Sequence, residues 1–437
     1  VAVRIRNWSR EQVWEPAVLH TPADEGQVAA LVRKAAADGK RLKAIGSGLS
    51  WSDAAAPVEE ALRLGRMDQV LEIDREGHRV RVQGGVRLDR LNETLAGAGL
   101  ALDNFGSIVT QTVAGYLGTG SHGTGVRTRT LSAQVAGLHL VDGQGEVRRL
   151  GPDSEPELFR AAGAHLGCLG VVTEVTLACV DAFDLEERLE VIPIDTVLGD
   201  LDRLLADNDY LKLWWLPPSD RFLVYRFNKT TEPRTKPGLK GRFDRSGLSG
   251  LAFGALAGAS RAVPPLTPLI MGTVQRSSFG PHRRVDRSDL IIPYAGSIPR
   301  HQETEYAIAV ERAPQALDAV RRMILGTTRF RVNFPLEVRF VAADDVPLSP
   351  ACGRDVCFIG AYVASRRWAG PYFEAFEELI AEYDGRPHWG KTTSRTAADF
   401  RRLYPGYEEF DRIRRNCDPV GVFRNPFVDR VFGLEAG

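Results

Sequence analysis

The stretch DNFGSIVTQTVAGYLGTGSHGTG, residues 103–125, carries five glycines in its last eleven positions. Glycine lets backbone N–H groups approach a ligand closely and take positive φ, which forms an anion cradle. Thr119, Ser121 and Thr124 add hydroxyl donors suited to a pyrophosphate. A second such segment, GSGLSWSD over Gly46–Asp53, contributes Ser47, Ser50 and Ser52. Neither is followed by Gly-Lys-[Ser/Thr], so neither is a phosphate-binding loop of the Walker type. Neither fits GxGxxG with a strand before it and an acidic residue about 20 positions on, so a Rossmann domain is disfavoured. On residues alone, tight turns between strands account for both loops as readily as a cradle does.

Around these loops the pattern is mixed α and β. Asp24 and Glu25 after Pro22 predict a helix through about Asp38, followed by a short strand over Arg41–Ile45. Val70–Asp74 and Arg79–Val82 read as a hairpin across Gly77, Leu88–Ala98 as a helix, and Val135–Asp142 and Gly170–Leu177 as strands. Near Asp181 aromatic and charged residues become denser, which places a domain boundary there. A Pro/Gly/Lys/Arg-rich loop over Thr230–Ser246 reads as solvated surface, and Leu248–Ala259 with Val263–Val274 as a pair of packed helices.

Composition narrows the function. A chain of 437 residues suggests two to three domains, and 56 basic against 56 acidic side chains leave no nucleic-acid footprint. Cys168, Cys179, Cys352, Cys357 and Cys417 show neither a CxxC pair nor metal-ligand spacing, so no metal is expected. Their odd number, with no signal peptide read, favours free thiols in a reducing cytoplasm. No run approaches the roughly 18 apolar residues of a membrane span.

The order GSGLSWSD, DNFGSIVTQTVAGYLGTGSHGTG, HLGCLGVVTEVTL resembles the vanillyl-alcohol oxidase-type FAD domain, and more narrowly the sugar-1,4-lactone oxidases. Similarity is strong over residues 10–180, patchy over 295–345 and strong again over 380–437. The resemblance implies an α+β fold with a two-subdomain FAD-binding domain, about 1–58 and 59–180. An α+β cap domain over 181–386 and a segment 387–437 returning to the FAD domain complete it. It implies that Gly46, Ser47, Gly48 and Ser50 lie along the FAD pyrophosphate. Ser107, Thr119, Gly120, Ser121, His122 and Gly123 would line the diphosphate and flavin, with Gly170 and Val172 toward adenine or ribose. Many relatives carry a flavin-linked histidine at the position of Leu49; leucine cannot form that bond, so FAD is expected to be non-covalent. Gly106 stands where the plant dehydrogenase of the family has an oxygen-screening alanine, which argues for an oxidase.

Pro335-Leu336-Glu337-Val338-Arg339-Phe340 alternates as a strand, putting Glu337 and Arg339 on one side and Leu336, Val338 and Phe340 on the other. On residues alone this is an amphipathic strand with a solvated ion pair. The resemblance implies instead an E-x-R strand facing the flavin, continued by Ala342–Asp345. Within Gly385–Lys391 (GRPHWGK) it implies that Lys391 is the active-site lysine, with His388 nearby, and Asp418–Asn425 matches the family's closing motif. Arg339 would then stabilise charge on the reacting oxygen, and Lys391, its pKa lowered beside Arg339, would relay the hydroxyl proton. Glu337 would accept a hydrogen bond from a neighbouring sugar hydroxyl. The expected function is FAD-dependent oxidation of a sugar-derived hydroxyl, foremost that of an aldono-1,4-lactone, with oxygen yielding hydrogen peroxide. An alditol or specialised glycoside is the alternative substrate. A flavin reductase fed by NADPH and a flavin-binding module without turnover are the competing classes. Oligomeric state is left open.

Overall fold

The computed structural model describes residues 3–236, 248–278, 280–294 and 298–435; the 237–247 part of the basic loop lies outside them. Strands β1 (Val18–His20), β2 (Leu42–Ala44) and β3 (Glu60–Leu62) form a parallel sheet in the order β1-β3-β2. Parallel neighbours need a crossover, supplied here by helix α1 (Glu25–Ala37). Asp24 caps it by accepting the Gln27 N–H at 2.8 Å, as the acidic start predicts. The buried stripe Val28, Val32 and Ala35 packs with Leu42 and Leu62.

A second sheet is antiparallel. Its strands are β4 (Val70–Asp74), β5 (Arg79–Gln83), β6 (Val135–Val141), β7 (Val147–Leu150) and β8 (Val171–Ala178), in the order β7-β6-β8-β5-β4. Helices α2 (Leu88–Gly97) and α3 (Val113–Gly118) belong to this layer, α3 capped by the Thr112 hydroxyl on Gly115 N–H.

The largest sheet has eight strands among the described residues. They are β9 (Asp184–Pro193), β10 (Tyr210–Trp215), β11 (Arg221–Thr230), β12 (His282–Arg287), β13 (Gln302–Ala309), β14 (Leu336–Val341), β15 (Val356–Val363) and β16 (Arg386–Pro387). Their order is β12-β9-β11-β10-β14-β15-β13-β16, antiparallel throughout. Successive side chains alternate between faces. Leu213, Trp215, Leu336, Val338, Phe340 and Ile359 join a core with helices α6 (Ala313–Leu325) and α7 (Arg366–Ala381). The other face carries Lys212, Trp214, Glu303, Glu305, Glu337, Arg339 and Tyr362. Before β12, helices α4 (Leu248–Ala262) and α5 (Thr267–Ser278) pack as a pair. No described helix is long and apolar enough to cross a membrane.

The C-terminal segment folds back onto the first sheet. Leu42 N–H donates to the Val422 carbonyl at 2.8 Å. The Asn425 amide donates to three carbonyls, those of Asp53, Ala54 and Ala56, at 3.0–3.2 Å.

Candidate active site

The two glycine segments meet. A Cβ on Gly46 or on Gly115 would stand 2.8 Å from the Thr112 hydroxyl oxygen, so glycine at both positions lets the first loop settle on the start of α3. Beside this contact runs a cleft enclosing about 1130 Å³, the open solvent at its mouth included. Gly46, Ser47, Gly48, Leu49, Ser50, Thr119, Gly170 and Val172 all line it. The backbone N–H groups from Gly46 through Ser50 donate to no protein atom among the described residues. Ser47 is exposed, but Gly46, Gly48, Leu49 and Ser50 are half-buried; such amides are ordinarily paired, so the run marks a place for an acceptor-rich ligand. Gly48 holds φ +70, where an L side chain is strained. Arg63 also lines the cleft, and its buried Nε has no protein partner. This donor set fits the pyrophosphate of FAD. Ser47 departs from expectation: its hydroxyl is committed to the Thr110 carbonyl at 2.7 Å, so only its amide is available.

Sequence reasoning missed two groups in the cleft wall. Lys43 is fully buried and donates to the carbonyls of Gly167 (2.9 Å) and Phe423 (3.2 Å). Burial without a bonded carboxylate lowers its pKa to about 8. His165 takes the Gly167 N–H on Nδ1 at 3.0 Å and so presents Nε2–H to the Ala114 carbonyl at 3.2 Å. Burial lowers its pKa to about 4. Lys43 lies in no recognisable motif, and His165, which opens HLGCLGVVTEVTL, carries no chemical signal of its own there; only the folded chain brings them to the cleft.

The remaining expected cofactor residues lie beyond the cleft, toward the large sheet. Gly106 is tightly enclosed: a Cβ would meet the His122 carbonyl oxygen at 3.0 Å and the Tyr116 hydroxyl at 3.3 Å. The Ser107 carbonyl accepts the Tyr294 N–H at 3.1 Å. Ser121 is buried and shares a hydroxyl contact with Thr119 at 3.1 Å. A Cβ on Gly123 would collide with Asn104, and Gly120 lies beside Trp389. The second loop beyond Thr119 is therefore mostly packed, while its earlier part, with Gly115, Gly118 and Thr119, lines the cleft.

His122 reaches the sheet. Its ring stacks on Phe358 at 3.4 Å between centroids, Nδ1 donates to the Gly123 carbonyl at 3.0 Å, and Nε2 meets Glu305 at 3.3 Å. Burial would raise the Glu305 pKa, but His122, then Lys391 and Arg339, hold it well below the ordinary value. His388 lies 5.5 Å from the His122 ring, and its Nδ1 accepts the Gly390 N–H at 2.9 Å. Burial holds its pKa well down. The donor atoms of His122, Glu305 and His388 lie within 4.8 Å of one another. A metal is nonetheless ill served, because the neutral His388 spends its lone pair on Gly390 and keeps the proton on Nε2.

In the Glu337–Arg339 pair Glu337 is buried and Arg339 half-buried, so the pair is not solvated as the bare alternation allowed. Glu337 is 1% exposed. Its Oε1 takes the Tyr294 hydroxyl at 2.6 Å and Trp214 Nε1 at 2.9 Å; its Oε2 takes the Tyr362 hydroxyl at 2.7 Å and Arg339 Nη2. Against a burial penalty, Arg339 and then Lys212 pull its pKa down to about 2. Four donors occupy the four lone-pair directions of a carboxylate. Glu337 is thereby an anchor for Arg339, and no lone pair remains for a sugar hydroxyl. Arg339 by contrast keeps a buried Nε with no protein partner.

Lys391 is beside a carboxylate, Glu303. Its ammonium also lies 4.4 Å from the Trp51 ring centre. Trp51, within the first glycine segment, donates its main-chain N–H to the Gly390 carbonyl at 2.7 Å, so that segment adjoins the turn carrying Lys391.

Comparison with known proteins agrees with this geometry. The model of an FAD binding domain matches residues 16–151, and that of D-arabinono-1,4-lactone oxidase matches 175–431, more than half of the chain. L-gulono-1,4-lactone dehydrogenase of Mycobacterium tuberculosis is 34% identical over 436 residues, covering 98% of each chain. L-gulonolactone oxidase of Mus musculus is 31% identical, again over 98% of each. Among solved structures, a solvent-stable cholesterol oxidase aligns with a TM-score of 0.82 at 18% identity, over 98% of this chain and 97% of that one. The fold is thus the vanillyl-alcohol oxidase type, with an FAD-binding domain followed by a second domain. The chain belongs to the D-arabinono-1,4-lactone oxidase family of FAD-dependent oxidoreductases.

Proposed function

We propose that this enzyme oxidises a ring hydroxyl of an aldono-1,4-lactone on FAD held without a covalent bond, and that oxygen is the acceptor. One observation carries the reading: Arg339, locked by Glu337, keeps an unpaired buried N–H on the polar face of the large sheet. Residues 1–180 would hold FAD, 181–386 the substrate, with 387–437 closing the first unit.

Bound FAD supplies the acceptor for the hydride leaving the carbinol carbon. Arg339 orients the reacting oxygen and stabilises the negative charge that grows as its proton departs. Glu337 spends its lone pairs on Trp214, Tyr294, Tyr362 and Arg339, which fixes the guanidinium before substrate arrives. Lys391 holds the hydroxyl, and Glu303 beside it takes the proton onward. Leu49 at the cleft wall offers no nucleophilic nitrogen. His165, also in the wall, has both nitrogens engaged. Flavin should therefore leave with the supernatant when the protein is precipitated with acid.

Oxygen as acceptor rests on the resemblance at Gly106; the His122 carbonyl and Tyr116 hydroxyl that a Cβ would meet there explain the glycine by packing alone. Five free thiols support a cytoplasmic location.

The test is anaerobic: gulono-, galactono- and arabinonolactone and xylitol are added in turn to the yellow enzyme, and air is then admitted. Bleaching by a lactone with rapid recolouring in air is the expected result. Slow recolouring would make it a dehydrogenase, and bleaching by xylitol alone would move the substrate to alditols.

A further inference from the structure

We propose that Lys212 recognises the carbonyl oxygen of the substrate and makes the site selective for lactones over rings that lack that carbonyl; this rests on the lactone reading above. Lys212 sits on β10, paired directly with Arg339 on β14, and two residues along Trp214 pairs with Glu337. Directly paired residues share a face with Cβ atoms about 4.5–5.5 Å apart. Lys212 thus stands in the same row as the guanidinium assigned to the reacting oxygen.

Its surroundings are unusual for a buried cation. The residue is 6% exposed, and its ammonium is ringed by Trp214, Tyr225, Phe227 and Tyr294 with 4.6–5.6 Å to the ring centres. Aromatic faces attract the charge but accept no ordinary hydrogen bond. Among the described residues Lys212 has no hydrogen bond and no ion pair, and burial lowers its pKa. Lys43, the other buried lysine of the site region, instead donates to main-chain carbonyls. A buried ammonium without acceptors is costly, and such groups concentrate where a ligand completes them.

The donor type selects the partner. An ammonium only donates, whereas a sugar hydroxyl must also place its own proton. The acceptors on this face are carboxylates, and Tyr294 bridges the cage to Glu337 and to the Ser107 carbonyl. A carbonyl oxygen, which only accepts, is the lactone atom that Lys212 satisfies best. The carboxylate of a hydrolysed lactone shares that chemistry and is the source to be distinguished.

The experiment uses dithionite-reduced holoenzyme, which binds without turning over. Calorimetry gives dissociation constants of wild type and Lys212→Met for three probes. These are L-gulono-1,4-lactone, the matching 1,4-anhydro-alditol with CH₂ in place of the carbonyl, and the sodium aldonate. Lys212→Met should weaken the lactone about 10- to 100-fold and leave the anhydro-alditol unchanged. It should also leave Tm undiminished, because the ammonium has no hydrogen-bond partner to lose and only the charges of Glu337 and Glu187 offset its burial. Lys212→Gln, a shorter neutral donor, should fall between the two and serves where the Met variant is not recovered. Equal weakening of lactone and anhydro-alditol, or no weakening, overturns the assignment. Loss of aldonate affinity with lactone affinity intact overturns it in favour of a carboxylate. A wild type that no lactone bleaches overturns the proposed function as well; a bleaching wild type whose Met variant keeps its lactone preference overturns this inference alone.

Discussion

The cofactor cleft and the polar face of the large sheet manage charge in opposite ways. The cleft meets its ligand with main-chain amides from Gly46 to Ser50 and few charged side chains. The sheet face is built almost wholly of side-chain charges: Glu337 with Arg339, Glu303 with Lys391, Glu305 with His122. Backbone recognition is fixed by chain shape, so it tolerates changes of side chain and fails when φ or spacing is disturbed. Side-chain recognition is the reverse. Binding and chemistry should therefore be separable by mutation.

The largest effect expected is that of Arg339→Ala. It should slow anaerobic flavin reduction by the lactone about 100- to 1,000-fold, as loss of one preorganised donor does, while FAD stays bound. A rate near wild type in stopped-flow would remove Arg339 from the chemistry. Gly48→Val tests the other side. Forcing a β-branched residue to φ +70 costs about 1–3 kcal/mol, or roughly 5- to 150-fold in FAD affinity by fluorescence titration of the apoprotein. The fraction that does load should reduce at the normal rate, and a slow loaded enzyme would blur the division.

Acid separates the regions as well. His165 takes a proton near pH 6.5 when unfolded and near 4 when folded, so the unfolded chain binds more protons between these values. Stability should fall as pH drops through that window, by about 3 kcal/mol for this group, and level off below it. His388, also held down by burial, adds to the same limb. Glu337, lowered from 4.5 to about 2, contributes stability above pH 4.5 that is lost as pH falls toward 2. Denaturant melts of His165→Gln should therefore flatten the upper limb, and those of Glu337→Gln the lower; exchanged signatures would contradict both assignments. The smallest effect belongs to Ser47→Ala. With its hydroxyl spent on an exposed bond to Thr110, FAD affinity should change less than about threefold.

Local periodicity made much of this legible. Alternation in Leu336–Phe340 separated core from site, and the acidic start placed α1. Burial of Glu337 was not legible, because Trp214, Tyr294 and Tyr362 come from other segments. Gln302–Ala309 carries the same i, i+2 signal in Glu303 and Glu305, yet similarity there was patchy and the strand passed unremarked. The glycine loops read alike, and only coordinates distinguish bare amides at Gly46–Ser50 from the packed turn at Gly123. Lys43 and Lys212 stand in no motif, and His165 opens HLGCLGVVTEVTL without a chemical signal of its own; their neighbours are assembled by long-range packing.

The contact between Lys43 and the Phe423 carbonyl spans 380 residues. At roughly 5–20 residues per second, the ribosome leaves Lys43 without that acceptor for about 20 to 80 seconds. The nucleotide-binding half of the molecule, though made first, is thus finished last. A cell producing this enzyme must keep a nearly complete chain from aggregating while its earliest strands await their final residues.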